Sequence, residues 1–311
     1  MKSKIYYKSI IYIGTLIDSL TFELEIMKNS IKIIECPRDA MQGFPRIIST
    51  EEKIDYMKSL LEVGFDILDF GSFVSAKAIP QMKDTPLVAE AIMNFKKDTK
   101  LLAIVANERG AQESVAFPHI DYLGYPFSIS ESFQLRNTNS TIEESIHRVD
   151  DILKITKESG KELIIYISMA FGNPYGDIWN AEIVNKYVEI LSSKGIRIIA
   201  LSDTIGVANP ESIRYIFSSV IDSNPSLEIG AHFHTTADSW EEKLVAAFES
   251  GCTRFDGAIK GLGGCPMAKD ELVGNMPTEK LLEFCIKREL PINIDKSKFW
   301  ESYKKSESIF F

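Results

Sequence analysis

Residues 140–168 read STIEESIHRVDDILKITKESGKELIIYIS, and this stretch holds one full repeat of the pattern that decides the fold. Ile142, Ile146, Val149, Leu153 and Thr156 recur at helical spacing, with charges on the opposite face. Ser140 and Glu143 have the spacing of a capping box, and Gly160 is the residue type that ends a helix in the left-handed region. A β-branched apolar run, Leu163–Ser168, follows at once. The stretch predicts a helix running straight into a buried strand.

Outward from there the same unit recurs. Apolar runs at Ile31–Glu35, Phe65–Phe70, Leu101–Ala106, Tyr122–Ser128, Leu163–Ser168, Ile196–Ser202, Ile229–His234 and Arg254–Ile259 predict eight strands. Ser49–Glu52 and Ser239–Glu242 repeat the capping-box spacing, and Asn209–Pro210 puts proline at a first helical position. Gly195 and Gly251 each stand between a helical stretch and the next strand. Eight strand–helix repeats over roughly 250 residues have the size of a (β/α)8 barrel. A doubly wound open sheet is the alternative, but no GxGxxG follows the first strand. The expectation is an α/β chain with a single (β/α)8 TIM barrel over residues 29–290, an N-terminal extension at 1–28 and a C-terminal tail at 291–311. Lys2, Lys4 and Lys8 before an apolar stretch give the extension a weak look of a signal peptide. No small-residue cleavage site follows, and Met27 is the natural alternative start.

Composition narrows the function. Hydrophobic content of 45% and charged content of 25% are those of an ordinary soluble globular protein. A net charge of −9 argues against a nucleic-acid groove or an anionic membrane as partner. No apolar run reaches the roughly 18–20 residues of a membrane span. Cys36, Cys252, Cys265 and Cys285 form no CxxC or zinc-ribbon spacing, so a reducing, cytoplasmic location is expected.

In a barrel of this kind chemistry sits at the carboxyl ends of the strands. The polar residues there are Arg38, Asp39 and Gln42 after the first strand, Asp69 at the second and Asp203 at the sixth. His232 and His234 end the seventh, and Cys265 and Asn275 follow the eighth. His232 and His234 are two of only four histidines, and a spacing of two points both to one side of a strand. With Asp39 and Asn275 they give one carboxylate, two imidazoles and one carboxamide on one face. That mixed set suits a divalent ion of the Mg, Mn or Zn group, with open positions for substrate oxygens. Singly, each has a plainer reading: a hydrogen-bonded strand histidine, a surface ion pair at Arg38–Asp39, helix caps at Asp69 and Asp203. Three glycines beside a cysteine in GLGGC, 261–265, specify a mobile or closely approached backbone.

The motifs together resemble 3-hydroxy-3-methylglutaryl-CoA lyase, within the metal-dependent barrel lyases and acyl transferases. PRDAMQG is similar to the family's PRDGLQN, SFVSAKAIPQM to SFVSPKWVPQM, LSDTIGV to LGDTIGV, AHFHTT to AVHCHDT, and GLGGCPMA to GLGGCPYA. They stand in the family's order. The resemblance implies retro-Claisen cleavage of a 3-hydroxyacyl-CoA to acetyl-CoA and acetoacetate, with an acyl-CoA thioester as partner and a homodimer or larger homo-oligomer. It implies Asp39, His232, His234 and Asn275 as ligands of Mg or Mn, with Zn as the further option. Arg38 would face the developing enolate, Asp69 would orient it in place of the family's glutamate, and Cys265 would be the cysteine of the family's mobile loop. Asp203 matches an active-site aspartate and competes with His232 and a bound water for the role of base. The chain departs from the pattern in Thr235–Thr236 for the family's Asp-Thr, and in a cysteine loop, CPMAKDELVGN, longer than CPYAQGASGN. A condensing acyltransferase of the isopropylmalate or homocitrate synthase type is the nearest alternative. Those enzymes carry a long C-terminal extension, and only 291–311 follows here. A barrel that binds acyl-CoA or metal without turnover is the second.

Overall fold

The computed structural model describes residues 30–264 and 273–311. The predicted extension at 1–28 and Cys265 lie outside the described residues. In chain order the elements are β1 (Lys32–Glu35), α1 (Pro37–Gln42), α2 (Thr50–Val63), β2 (Ile67–Ser72), α3 (Thr85–Ile92), β3 (Lys100–Ile104), α4 (Glu108–Ser114) and β4 (Tyr122–Ser128). Then come α5 (Glu131–Thr138), α6 (Ile142–Glu158), β5 (Glu162–Ser168), α7 (Ala181–Lys194), β6 (Ile198–Asp203), α8 (Pro210–Ser223) and β7 (Glu228–Thr235). The chain ends with α9 (Trp240–Glu249), β8 (Arg254–Gly257), β9 (Gly274–Asn275), α10 (Thr278–Lys287) and α11 (Lys296–Phe310).

All eight predicted strands are present. They pair in parallel in the order β6-β5-β4-β3-β2-β1-β8-β7, and the pairing of β6 with β7 closes the ring. The molecule is a (β/α)8 barrel. Alternate residues fill the lumen: Ile34, Ile67, Leu102, Ile104, Ile164, Tyr166, Ile198 and Ala200 form one buried cluster inside the ring. The other parity packs under the helices, so the strands are apolar on both sides.

Local chemistry sets the helix starts. Ser49 caps α2, its Oγ accepting from the Glu52 N–H while the Glu52 carboxylate accepts from the Ser49 N–H. At α6 the box forms one residue later than the sequence predicts, with Thr141 and Glu144. The reason is visible at Ser140, whose hydroxyl is buried and held 2.7 Å from the Thr138 Oγ1. The box expected at Ser239 does not form; its Oγ accepts instead from the Thr236 N–H at 2.9 Å. Asn209 caps α8 ahead of Pro210 as predicted. The residues read as a tail include α11, which packs on α2 through buried Phe299 and Phe310. The Phe310 ring stands 5.3 Å from Phe44 and 6.2 Å from Tyr56.

Candidate active site

The lumen parity of each strand decides what reaches the carboxyl end of the barrel. On β7 it runs Glu228, Gly230, His232, His234, and on β8 it is Arg254 and Asp256. Ser202 of β6 pairs in register with His232. Asp39 and Arg38 arrive on the short helix α1, directly after β1.

The two imidazoles are held in one tautomer by different partners. Nδ1 of His234 lies 2.8 Å from the Thr204 carbonyl oxygen. A carbonyl only accepts, so Nδ1 carries the proton and Nε2 keeps its lone pair. Nδ1 of His232 lies 3.1 Å from the Asp256 carboxylate, with the same consequence. Nε2 of His232 then faces Asp39, whose Oδ2 is 3.7 Å away. Asp39, His232 and His234 each offer a donor atom within 4.8 Å of the others. Burial alone would raise the Asp39 carboxyl, but Arg38, the two histidines and a hydrogen bond from Asn275 hold it below the usual carboxylate range. For His234, burial and the neighbouring His232 both lower its pKa and favour the neutral ring. For His232 burial acts in the same direction, but the hydrogen bond and charge of Asp256 outweigh it and raise the value.

Asn275 reaches the cluster on β9, which runs antiparallel to β7 with His234 opposite Asn275. Its amide nitrogen donates to the Leu262 carbonyl at 2.8 Å, so the side-chain oxygen is the atom left for a ligand. The glycines of GLGGC make that approach possible. A Cβ on Gly263 would stand 2.7 Å from the Asn275 amide nitrogen and from the Asp39 carbonyl oxygen, and φ there is +90°. One carboxylate, two imidazole lone pairs and an amide oxygen form a donor set that fits a divalent cation of the Mg, Mn or Zn group. Cys36, His232 and Asp256 also bring donors within 4.8 Å of one another. That grouping uses the Nδ1 side of His232, Asp256 is already held by Arg254, and burial pushes the Cys36 thiol well up. It supports the upper cluster rather than forming a second one.

Arg38 closes the other side. Its Nε and Nη2 donate to Asp69 at 3.0 and 2.5 Å, and Nη1 donates to Asp39 and Gln42, both at 3.1 Å. Four of its five N–H donors are engaged, which leaves one on Nη2. Burial pushes Asp69 up, to about 6, against the pull of the Arg38 guanidinium. The guanidinium is held firmly protonated by Asp69 and Asp39, against the opposing effect of burial. Arg38, Asp39, Gln42, His232 and His234 line one wall of a cavity of about 340 Å³. Val74, Ile79, Ile104, Ala106, Pro126 and Phe133 supply its apolar lining, and Ser168, Ser202 and Thr204 its floor hydroxyls.

Asp203 is not brought to this cavity. It has the outward parity of β6, so its Oδ2 accepts from the buried Lys243 ammonium at 2.7 Å and its Oδ1 from the Ala208 N–H at 3.1 Å. Lys243 also donates to the Gly206 and His234 carbonyls, at 3.0 and 2.9 Å. Gly264, the residue before Cys265, lines the cavity. Cys36, Cys252 and Cys285 are buried free thiols. Sequence reasoning missed Asp256, Arg254 and Lys243. The signal for the first two was present: two charges at period two in an otherwise apolar strand must share one face.

Comparison with known proteins identifies the family. A family model described as HMGL-like matches residues 31–304. The chain is 31% identical to hydroxymethylglutaryl-CoA lyase YngG of Bacillus subtilis over 268 residues, covering 86% of this chain and 89% of that protein. It is 31% identical to the cytoplasmic 3-hydroxy-3-methylglutaryl-CoA lyase of Rattus norvegicus, over 90% of this chain and 81% of that one. The crystal structure of the Bacillus subtilis HMG-CoA lyase superposes with a TM-score of 0.85 at 31% identity, covering 90% and 93% of the two chains. An HMG-CoA lyase from Acenitobacter baumannii, in complex with coenzyme A and 3-methylmalate, gives 0.82 at 30% identity, over 91% of this chain and 92% of that one. The chain belongs to the HMGL-like family and is an enzyme of the carbon–carbon lyase class.

Proposed function

We propose that the chain cleaves 3-hydroxy-3-methylglutaryl-CoA, or a close 3-hydroxyacyl-CoA, to acetyl-CoA and acetoacetate in a divalent-ion-dependent retro-Claisen reaction. The observation that carries the reading is the meeting of Asp39, His232 and His234 within 4.8 Å at the wall where Arg38 keeps a free donor. Asp39, His232, His234 and Asn275 would hold the ion. When bound, such an ion acidifies and orients a tertiary hydroxyl.

The residues then divide the work. The substrate hydroxyl gives its proton to a bound water beside the ligand wall, because His232 Nε2, with its proton on Nδ1, would have its one lone pair committed to the ion. The C2–C3 bond breaks, its electron pair passes to C2 as a thioester enolate, and C3 becomes the ketone of acetoacetate. The free Nη2–H of Arg38 is placed to stabilise that enolate oxygen, with Asp69 fixing the guanidinium so that little reorganisation is needed. Protonation of C2 completes acetyl-CoA, and Cys265 is the acid assigned to that step. Asp203, fully engaged with Lys243, is given a supporting role in place of base. The apolar lining opposite the ligands suits the methyl-bearing carbon chain.

The test is product analysis. The purified chain with 3-hydroxy-3-methylglutaryl-CoA and Mg or Mn is expected to release acetoacetate and acetyl-CoA in equal amounts. Consumption of a 2-oxo acid with acetyl-CoA, and no acetoacetate, would replace the reading with a condensing acyltransferase. Cys265→Ser is expected to lose most turnover while still binding the ion; unchanged turnover would remove the thiol from the mechanism.

A further inference from the structure

Beneath His232 the lumen holds a ladder of charge that the cleavage reaction does not itself require. Arg254 is 0% exposed, inside the ring of strands. Its Nη1 donates to Asp256 Oδ1 at 3.2 Å, while Asp256 Oδ2 faces Nδ1 of His232. Below it, Arg254 Nε stands 3.2 Å from the carboxylate of Glu228. The chain makes room for this side chain. Gly230, two residues before His232 on the same face, is a position where a Cβ would stand 2.9 Å from the Arg254 Cδ. Arg254 Nη2 has no hydrogen-bond partner, and Nε meets Glu228 only as an ion pair, although buried N–H groups normally find a bond. Burying a guanidinium costs stability even with two carboxylates facing it, so Arg254 invites a functional reading.

We propose that Arg254, acting through Asp256, is a positioning residue that fixes His232 with its proton on Nδ1 and its Nε2 lone pair turned to the ion site. The inference rests on the reading of His232 as a ligand. Arg254 occupies one carboxylate oxygen of Asp256 and so aims the other at the imidazole. The second histidine needs no such device, because Thr204 presents a backbone carbonyl that can only accept. An outer partner of a ligating histidine typically affects ion affinity 10–100-fold.

The experiment compares Asp256→Asn, Arg254→Met and Arg254→Lys in the full-length apoprotein, each confirmed folded by thermal melting. Two quantities are read: the 15N signals of His232 and His234, which report the tautomer, and the affinity for Mn2+ alone. Asp256→Asn can donate to Nδ1, and is expected to shift His232 toward the other tautomer and weaken Mn2+ by roughly 10–100-fold, with His234 unchanged. Arg254→Met should act in the same direction with a smaller loss, and Arg254→Lys should recover part of it. A folded Arg254→Met protein with the parent tautomer and the parent Mn2+ affinity would overturn the proposal. So would equal shifts at both histidines, which would mean general loosening. A parent protein without Mn2+ affinity would overturn the functional reading instead, while the His232 tautomer in Arg254→Met would still decide what Arg254 does.

Discussion

Asp69 and Asp203 invite comparison because they look alike. Both stand near strand ends, both carboxylates are 1% exposed, and both are paired with a buried cation, Arg38 in one case and Lys243 in the other. The difference is parity. Asp69 turns into the lumen and holds the guanidinium that lines the cavity. Asp203 turns out toward α9, and its pair ties the turn after β6 to the carbonyl of His234. One ion pair faces the chemistry and the other supports the strand that delivers the ligands.

The largest expected effect lies on the strand that delivers the ligands. His234→Ala is expected to abolish Mn2+ binding and turnover together, and retained tight binding would remove His234 from the ligand set. Next, Arg38→Met should lower kcat by roughly 10²–10³-fold while leaving Mn2+ binding largely intact. A kcat within a few-fold of the parent would erase the distinction between the two pairs. Lys243→Met should show the opposite profile. Removing one partner of a buried ion pair typically costs about 3–5 kcal/mol. Denaturant melts should show that loss, with turnover per folded molecule falling far less than in Arg38→Met.

The last effect, on stability alone, concerns a third buried carboxyl. Glu35 is raised from 4.5 to about 8, by burial above all, against hydrogen bonds from Thr278 and the Ile259 N–H. Between those values the folded chain holds a proton that the unfolded chain has released, so stability falls as pH rises through the window. Glu35→Gln keeps an acceptor for the Ile259 N–H and sets an amide N–H against Thr278, whose hydroxyl can turn to accept it. The parent should lose roughly 4 kcal/mol relative to this variant between pH 5 and pH 8, and parallel pH profiles from urea titrations would contradict the assignment.

Much of this was legible in the sequence. β-branched runs, helical periods and glycine stops define the eight strands, and the polar strand ends name Arg38, Asp39, Asp69, His232, His234 and Asn275 as neighbours. Asp203 was harder, because parallel strands buried on both faces lack the alternation that would reveal which way a residue points. The pairing of β9 with β7 was out of reach for a different reason. A two-residue strand has no period, and its register depends on Gly261 and Gly263 allowing the backbone close to Gly274 and Asn275. The box at Thr141 rather than Ser140 turned on a local bond between the Thr138 and Ser140 hydroxyls, which the capping-box spacing alone does not weigh.

The most direct measurement is the release of acetoacetate from 3-hydroxy-3-methylglutaryl-CoA by chelator-stripped protein, before and after Mn2+ or Mg2+ is restored. The account predicts no acetoacetate from the stripped protein and recovery of turnover on addition of the ion. Equal rates with and without the ion would contradict it.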